Sequence, residues 1–503
     1  MDRFDIVIRG ARVIDPESGL DDVRHVGVNG DVIAAVTTDP LEGRVVIEAG
    51  GRVVAPGFID MHSHAQTLGG RRLQACDGVT TALDLEAGRS PTAGAHAREQ
   101  DGSPIHYGWS ASWALARHRV LGRHEPDGSV GDALRLLGDI SWRGTLSPRQ
   151  LDAMLDLLRY DLADGAIGIG LLLGYAPEIP PEEYLAVARL AASSGVPTFT
   201  HCRELVEVAP AGLADGAEEI VRAAAETGAH MHYCHVNSSA SRHVDRVLGL
   251  VDRCQREGGR VSTEAYPYGY ASTVIGAAFL SAEGLRGRGL RPSALTYLPT
   301  GERIADEGRL EQLRRDDPAG LVILDFLDEA DPAQRAVLLR TVGRADVITA
   351  SDAMPLLPVA PGFAEDTWPI GAGAVTHPRT AGCFARMLRL AREEGWALAE
   401  VVRRCTLMPV QMLEGVCPAM RHKGRVQVGF DADLVVFDPA SVTDQASPAN
   451  STRVSSGITD VFVMGTRVVS DSELDTAARP GRGLRGSGPP EGLAPADRRS
   501  LWR

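Results

Sequence analysis

From residue 57 to residue 405 the sequence alternates short apolar runs with runs of helical period. That alternation restricts the fold more than any other feature, because it builds parallel strands joined by crossover helices. The apolar runs are Thr80–Leu85, Ala166–Gly170, Pro197–Thr200, Met231–Cys234, Arg260–Ala265 and Asp346–Ala350. Helix-period runs such as Pro181–Ala191 and Gly216–Ala225 lie between them. Repeated βα units either close into a barrel or form a doubly wound open sheet. No Gly-x-Gly-x-x-Gly run opens a strand–helix turn in these units, so the expectation is an α/β chain with a TIM-like (β/α)8 barrel.

The two ends have a different texture. Phe4–Arg9, Gly10–Asp15, His25–Val28 and Asp31–Val36 read as short strands, and the same pattern returns in Lys423–Gly429, Ala432–Asp438, Ile458–Met464 and Gly465–Val469. Residues 1–56 and 406–486 are therefore read as one small β-sandwich domain formed from both chain ends, with the barrel at 57–405. Residues 281–345, charged and Gly-rich, read as an excursion from the barrel. Residues 355–376, rich in Pro and Gly, read as a lid or wall, and 487–503 as a flexible extension.

Polar residues of metal-ligand type stand at the ends of these runs. Val54–His64 closes on His62 and His64, which share one face of an extended strand and project together. Such a pair alone is more often a chance surface feature than a chelate. Glu86 follows Thr80–Leu85, His201 follows Pro197–Thr200, His235 follows Met231–Cys234, and Asp352 follows the Asp346 run. Singly, each has a bland reading: a hydrogen-bonded structural histidine, or a carboxylate capping a helix. In a TIM barrel the C-terminal strand ends converge on one mouth, and six such donors there suit one or two borderline divalent ions such as zinc. Histidines 25, 96, 106, 118, 124, 243 and 422 lack this context and read as structural or surface residues. His230 and His232 read either way.

The net charge of −14 argues against nucleic-acid and anionic-membrane partners. The N-terminus shows no basic segment leading into a long apolar one, and no run of about eighteen apolar residues occurs. Seven scattered cysteines without a Cys-x-x-Cys fit a reducing cytoplasm.

The chain resembles the amidohydrolase superfamily and, within it, the D-aminoacylase (N-acyl-D-amino-acid deacylase) family. The resemblance runs over nearly the whole chain and is carried by Ala55–His64, Gly78–Thr81, Gly165–Gly168, Thr200–Glu204, Tyr266–Tyr268, Ala350–Pro355, His377–Arg379, Gly429–Pro439 and Ala478–Arg485. It implies metal-dependent hydrolysis of the amide bond of an N-acyl amino acid, D-configured, or of a related small N-acyl compound. His62, His64, Glu86, His201, His235 and Asp352 would hold two divalent ions, zinc by expectation, with Asp352 as general base and acid. Tyr175, Arg379, Asn237, Ser272 and Tyr268 would contact the substrate, Arg379 through its carboxylate.

Three departures stand out. The family's cysteine after Gly-Val-Thr-Thr is missing, and Glu86 is the nearest candidate. Asn237 stands where the family has a carboxylate-binding lysine. The segment Pro355–Thr376 is longer than usual. The alternatives are a cyclic-amide hydrolase of the hydantoinase or dihydroorotase type, which would need a carbamylated lysine at a strand end, a non-catalytic structural homologue, and a deaminase of the same superfamily.

Overall fold

The computed structural model describes residues 3–99, 101–122, 126, 129–205, 215–364 and 366–489. His124 and most of the expected C-terminal extension lie outside them.

Eight parallel strands follow one another in chain order: β1 Phe58–Asp60, β2 Val79–Arg89, β3 His106–Ser112, β4 Ile169–Leu172, β5 Thr198–His201, β6 Met231–Tyr233, β7 Val261–Ala265 and β8 Val347–Thr349. Each is hydrogen-bonded to its neighbour in sequence. A parallel bridge between Ser63 and Ala353 joins the chain after β1 to the chain after β8, with the His64 N–H donating to the Ala353 carbonyl at 2.7 Å. The result is a near-closed (β/α)8 barrel, with helices on the crossovers. Helix ends are signalled locally: Ser147 and Gln150 form a capping box on Pro148–Ala163, and Gly195 closes Pro181–Ser194 in the left-handed region at φ 68°.

Strand β3 was not among the expected strands, and β2 runs past Glu86, so that Glu86 lies inside a strand rather than after one. The excursion also opens earlier than residue 281. Tyr270–Val274, Leu295–Tyr297, Glu302–Arg303 and Leu321–Asp325 form a four-stranded antiparallel sheet between β7 and β8.

The chain ends meet in a nine-stranded sheet. Val53–Pro56 pairs antiparallel with Leu434–Phe437 and parallel with Phe4–Asp15. Ile8, Val13, Val26, Val28, Val54, Leu434, Val436 and Phe462 bury one apolar cluster there, which is the driving force that brings the ends together.

By internal packing the described residues form two compact units, one within 1–83, 99–107 and 348–484, the other within 84–98, 108–347 and 485–489. The first holds the terminal sheet. It also holds the Pro355–Thr376 segment, where Leu357–Pro358 pairs with Ala374–Val375 and Leu356, Phe363, Trp368 and Ile370 pack with Leu73 and Ala381.

Candidate metal centre

In the first unit the chain leaving β1 carries His62 and His64. Their Nε2 atoms are 3.1 Å apart and face Asp352 Oδ1 at 3.4 and 3.5 Å. Asp352 sits three residues past β8 in the left-handed region at φ 50°, uncommon for a residue with a Cβ. Arg379, fully buried, holds it there. Its Nη2 is 2.7 Å from Asp352 Oδ2, and its Nε donates to the Asp352 carbonyl at 2.5 Å. Zinc bound at about 2.0–2.1 Å keeps tetrahedral ligand atoms about 3.4 Å apart. The three converging atoms match that spacing, so the residues fit a divalent ion. Asp60 braces this group. It accepts from the N–H groups of His62 and Ser351 at 3.2 and 3.0 Å, from Gln74 at 2.7 Å, and from the Ser351 hydroxyl. Burial pushes the Asp60 carboxyl up to about 6, against the pull of those hydrogen bonds.

In the second unit Glu86 Oε1 lies 2.7 Å from His235 Nε2 and 3.2 Å from His201 Nδ1, and the two imidazole nitrogens are 3.0 Å apart. This trio also converges at ligand spacing. His235 turns out of β6 with φ 36°, a second strained backbone at a metal-type residue. Behind it Glu264 accepts from the His235 N–H at 3.4 Å and pairs with His232 Nε2 at 3.0 Å, while His232 Nδ1 and His230 Nε2 both reach Ser262 Oγ. Both ambiguous histidines thus support the site from below, and burial pushes His230 down to about 4. Gly170 is required for this packing, because a Cβ there would stand 2.2 Å from the Glu86 carbonyl. Gly174 lets the Tyr175 turn lie on His201, with ring centroids 4.8 Å apart, and Tyr175 Oη meets Thr273 Oγ1 at 2.6 Å.

The expected substrate residues fare differently. Arg379 is spent on Asp352 rather than presented on an open surface. Asn237 does not offer its amide to a ligand, since its Nδ2 donates to the Tyr266 and Tyr268 carbonyls at 2.9 and 3.4 Å. Ser272 and Tyr268 are buried. Alternation along Tyr270–Val274 turns Ser272 to the face opposite Thr273, the residue that meets Tyr175. Asp60, Glu264, Thr273 and Ser351 also stand at these two groups and are not among the residues the sequence singles out. Asp60 was within reach, because its i−2 spacing from His62 puts both on one strand face.

Three of the other histidines have structural partners. His25 accepts from the Gly10 N–H, His118 pairs with Asp139, and His106 meets Lys423 at 3.0 Å. Lys423 is the only lysine in the chain. It is buried against Asp433 and Asp431 at 2.6 and 2.8 Å, so no lysine is available for a carbamylated bridge.

A near-closed barrel whose strand ends gather imidazoles and carboxylates at ligand spacing defines a metal-dependent amidohydrolase. The chain belongs to the amidohydrolase family, whose model matches residues 45–313. It is similar to the N-acyl-D-glutamate deacylase of Alcaligenes xylosoxydans xylosoxydans, 27% identical over 523 residues covering 96% of this chain and 97% of that protein. Its fold is shared with a D-aminoacylase that has a binuclear metal centre, at TM-score 0.74 and 23% identity over 96% of this chain and 100% of that one. It is also shared with the N-acyl-D-glutamate deacylase from Bordetella bronchiseptica complexed with zinc and a phosphonate inhibitor, at TM-score 0.72 and 24% identity over 96% and 100%.

Proposed function

We propose that this chain is a zinc-dependent deacylase that hydrolyses the linear amide bond of an N-acyl-D-amino acid. The observation that carries this reading is the pair of groups, His62–His64–Asp352 and Glu86–His201–His235, each with two imidazoles and a carboxylate at ligand spacing. One divalent ion in each group makes two per chain. A bound divalent cation supplies Lewis acidity toward the amide carbonyl and water of lowered pKa.

The protein's own residues do the rest. Asp352 accepts the proton of the attacking water and returns it to the leaving amine. Arg379 is a positioning residue, fixing Oδ2 and the strained backbone so that Oδ1 faces the imidazoles. Tyr175, its ring tilted against that of His201 and its hydroxyl held at Thr273 Oγ1, donates toward the developing oxyanion. The segment 355–376 forms a wall of the first unit. Among the described residues no helix is long and apolar enough to cross a membrane. All seven cysteines are buried and outside any disulfide, which supports a cytoplasmic enzyme. The single lysine, engaged elsewhere, disfavours the cyclic-amide alternative.

The test is amine release by zinc-loaded protein from N-acetyl, N-formyl and N-succinyl derivatives of D- and L-amino acids, with hydantoin and dihydroorotate alongside. Turnover of rings alone, or of L-compounds alone, overturns the reading. Two metals per chain, falling to one in His62→Ala, support the two-ion centre; one metal, untouched by that substitution, overturns it. No bound metal favours the scaffold alternative.

A further inference from the structure

The second unit contains a cavity of about 280 Å³ lined by Ser239–His243, Arg288–Leu290, Phe326, Leu327, Gln334 and Val337. None of the residues named for the metal centre lines it. Its electrostatics run against the rest of the protein. Two arginines and a histidine line it and no carboxylate does, in a chain of net charge −14. Arg242 makes no ion pair among the described residues, and its Nε lies 3.3 Å from His243 Nε2. Its guanidinium passes where residue 289 has no side chain, since a Cβ on Gly289 would stand 3.1 Å from Arg242 Nη1. Arg288 is anchored by the Ser238 carbonyl at 3.0 Å and shares Glu204 at 3.4 Å, so its charge is only partly offset. The remaining wall is apolar, with Phe326 and Leu327 buried and Leu290 and Val337 beside them.

A concave surface lined by two guanidinium groups and by apolar side chains is complementary to an anion with an apolar body. Arg242 is exposed and Arg288 half-buried; like charges lining one cavity repel each other, and a bound anion relieves that repulsion. The volume is that of a small-molecule site at the lower end of the usual range, about 300 Å³. We infer that this cavity binds a short-chain aliphatic carboxylate at a site separate from the metal centre. The carboxylate lies between Arg242 and Arg288, and the chain lies on Phe326, Leu327 and Val337. The cavity wall is bonded to a metal-type ligand, as Ser239 Oγ donates to the His235 carbonyl at 3.2 Å.

Titration calorimetry of zinc-loaded protein with sodium hexanoate tests this without reference to turnover. One saturable site per chain is expected. Affinity should fall about tenfold in Arg242→Gln, which removes a charge-assisted hydrogen bond, and by a similar factor in Val337→Phe, which fills the apolar wall. Formate and inorganic phosphate should each bind at least about tenfold more weakly than hexanoate, for want of the apolar body. Unchanged affinity in both variants overturns the proposal. So does hexanoate binding that disappears on removing zinc yet survives Arg242→Gln, which places the anion on the metal. Phosphate binding as tight as hexanoate overturns the amphipathic ligand.

Discussion

Replacing Arg379 by methionine keeps much of the side-chain volume but removes the buried partner of Asp352. Arg379 has 0% exposure and Asp352 8%, so solvent cannot take over the lost ion pair. Breaking a buried pair from one side costs about 3–5 kcal/mol, because the remaining charge is left uncompensated. The left-handed backbone at Asp352, φ 50°, adds a strain of about 1–3 kcal/mol that the bond from Arg379 Nε to the Asp352 carbonyl helps to hold. Metal-free Arg379→Met protein should therefore lose about 3–5 kcal/mol in urea denaturation. The loss should shrink in zinc-loaded protein, where a cation beside Oδ1 compensates the same carboxylate. Steady-state kinetics separate positioning from substrate grip. A residue that orients the general base lowers kcat when removed, whereas a clamp on the substrate carboxylate raises KM and leaves kcat alone. A metal-free loss below about 1 kcal/mol, the range of an exposed ion pair, together with an effect on KM only, would refute the positioning role.

Asp352→Asn should retain bound zinc through His62 and His64 and lose about 10²–10⁴-fold in kcat, read by metal analysis and amine release on the same preparation. Reconstitution with zinc in bicarbonate-free buffer should give full activity, because the one lysine, Lys423, is tied to Asp431 and Asp433; a requirement for bicarbonate would contradict this. Asp77, which accepts from the Phe384 and Ala385 N–H groups and from Ser455, is pushed by burial from 3.8 up to about 7. The folded protein thus holds that proton more tightly than the unfolded chain. Its contribution to stability is greatest below the ordinary carboxyl value and falls as pH rises toward about 7. Urea midpoints across that window should show a downward slope that Asp77→Asn flattens.

The convergence of the metal-type donors is legible in one dimension because strand periodicity is local. His62 and His64 were paired by alternation alone, and His201 terminates its strand as expected. Strand β3 escaped because His106–Ser112 has no Val, Ile or Leu run, although all seven residues are buried; small and aromatic residues fill the barrel there. Glu86 was found beside its strand rather than inside it, since nothing local marks where a fully buried strand stops.

The sequence by itself determined the repeating βα frame and the donor types. These follow from periodicity and composition, which need no knowledge of distant contacts. Only the tertiary structure decided what each donor faces. Asp60 meets Ser351 across 291 residues of sequence, and Arg379 turns to Asp352 instead of a ligand. Asn237 is consumed by the Tyr266 and Tyr268 carbonyls. His235 and Asp352 hold left-handed backbones that no local preference selects. A carboxylate has two oxygens and an arginine five donors, and their partners are set by packing between segments that sequence spacing does not relate.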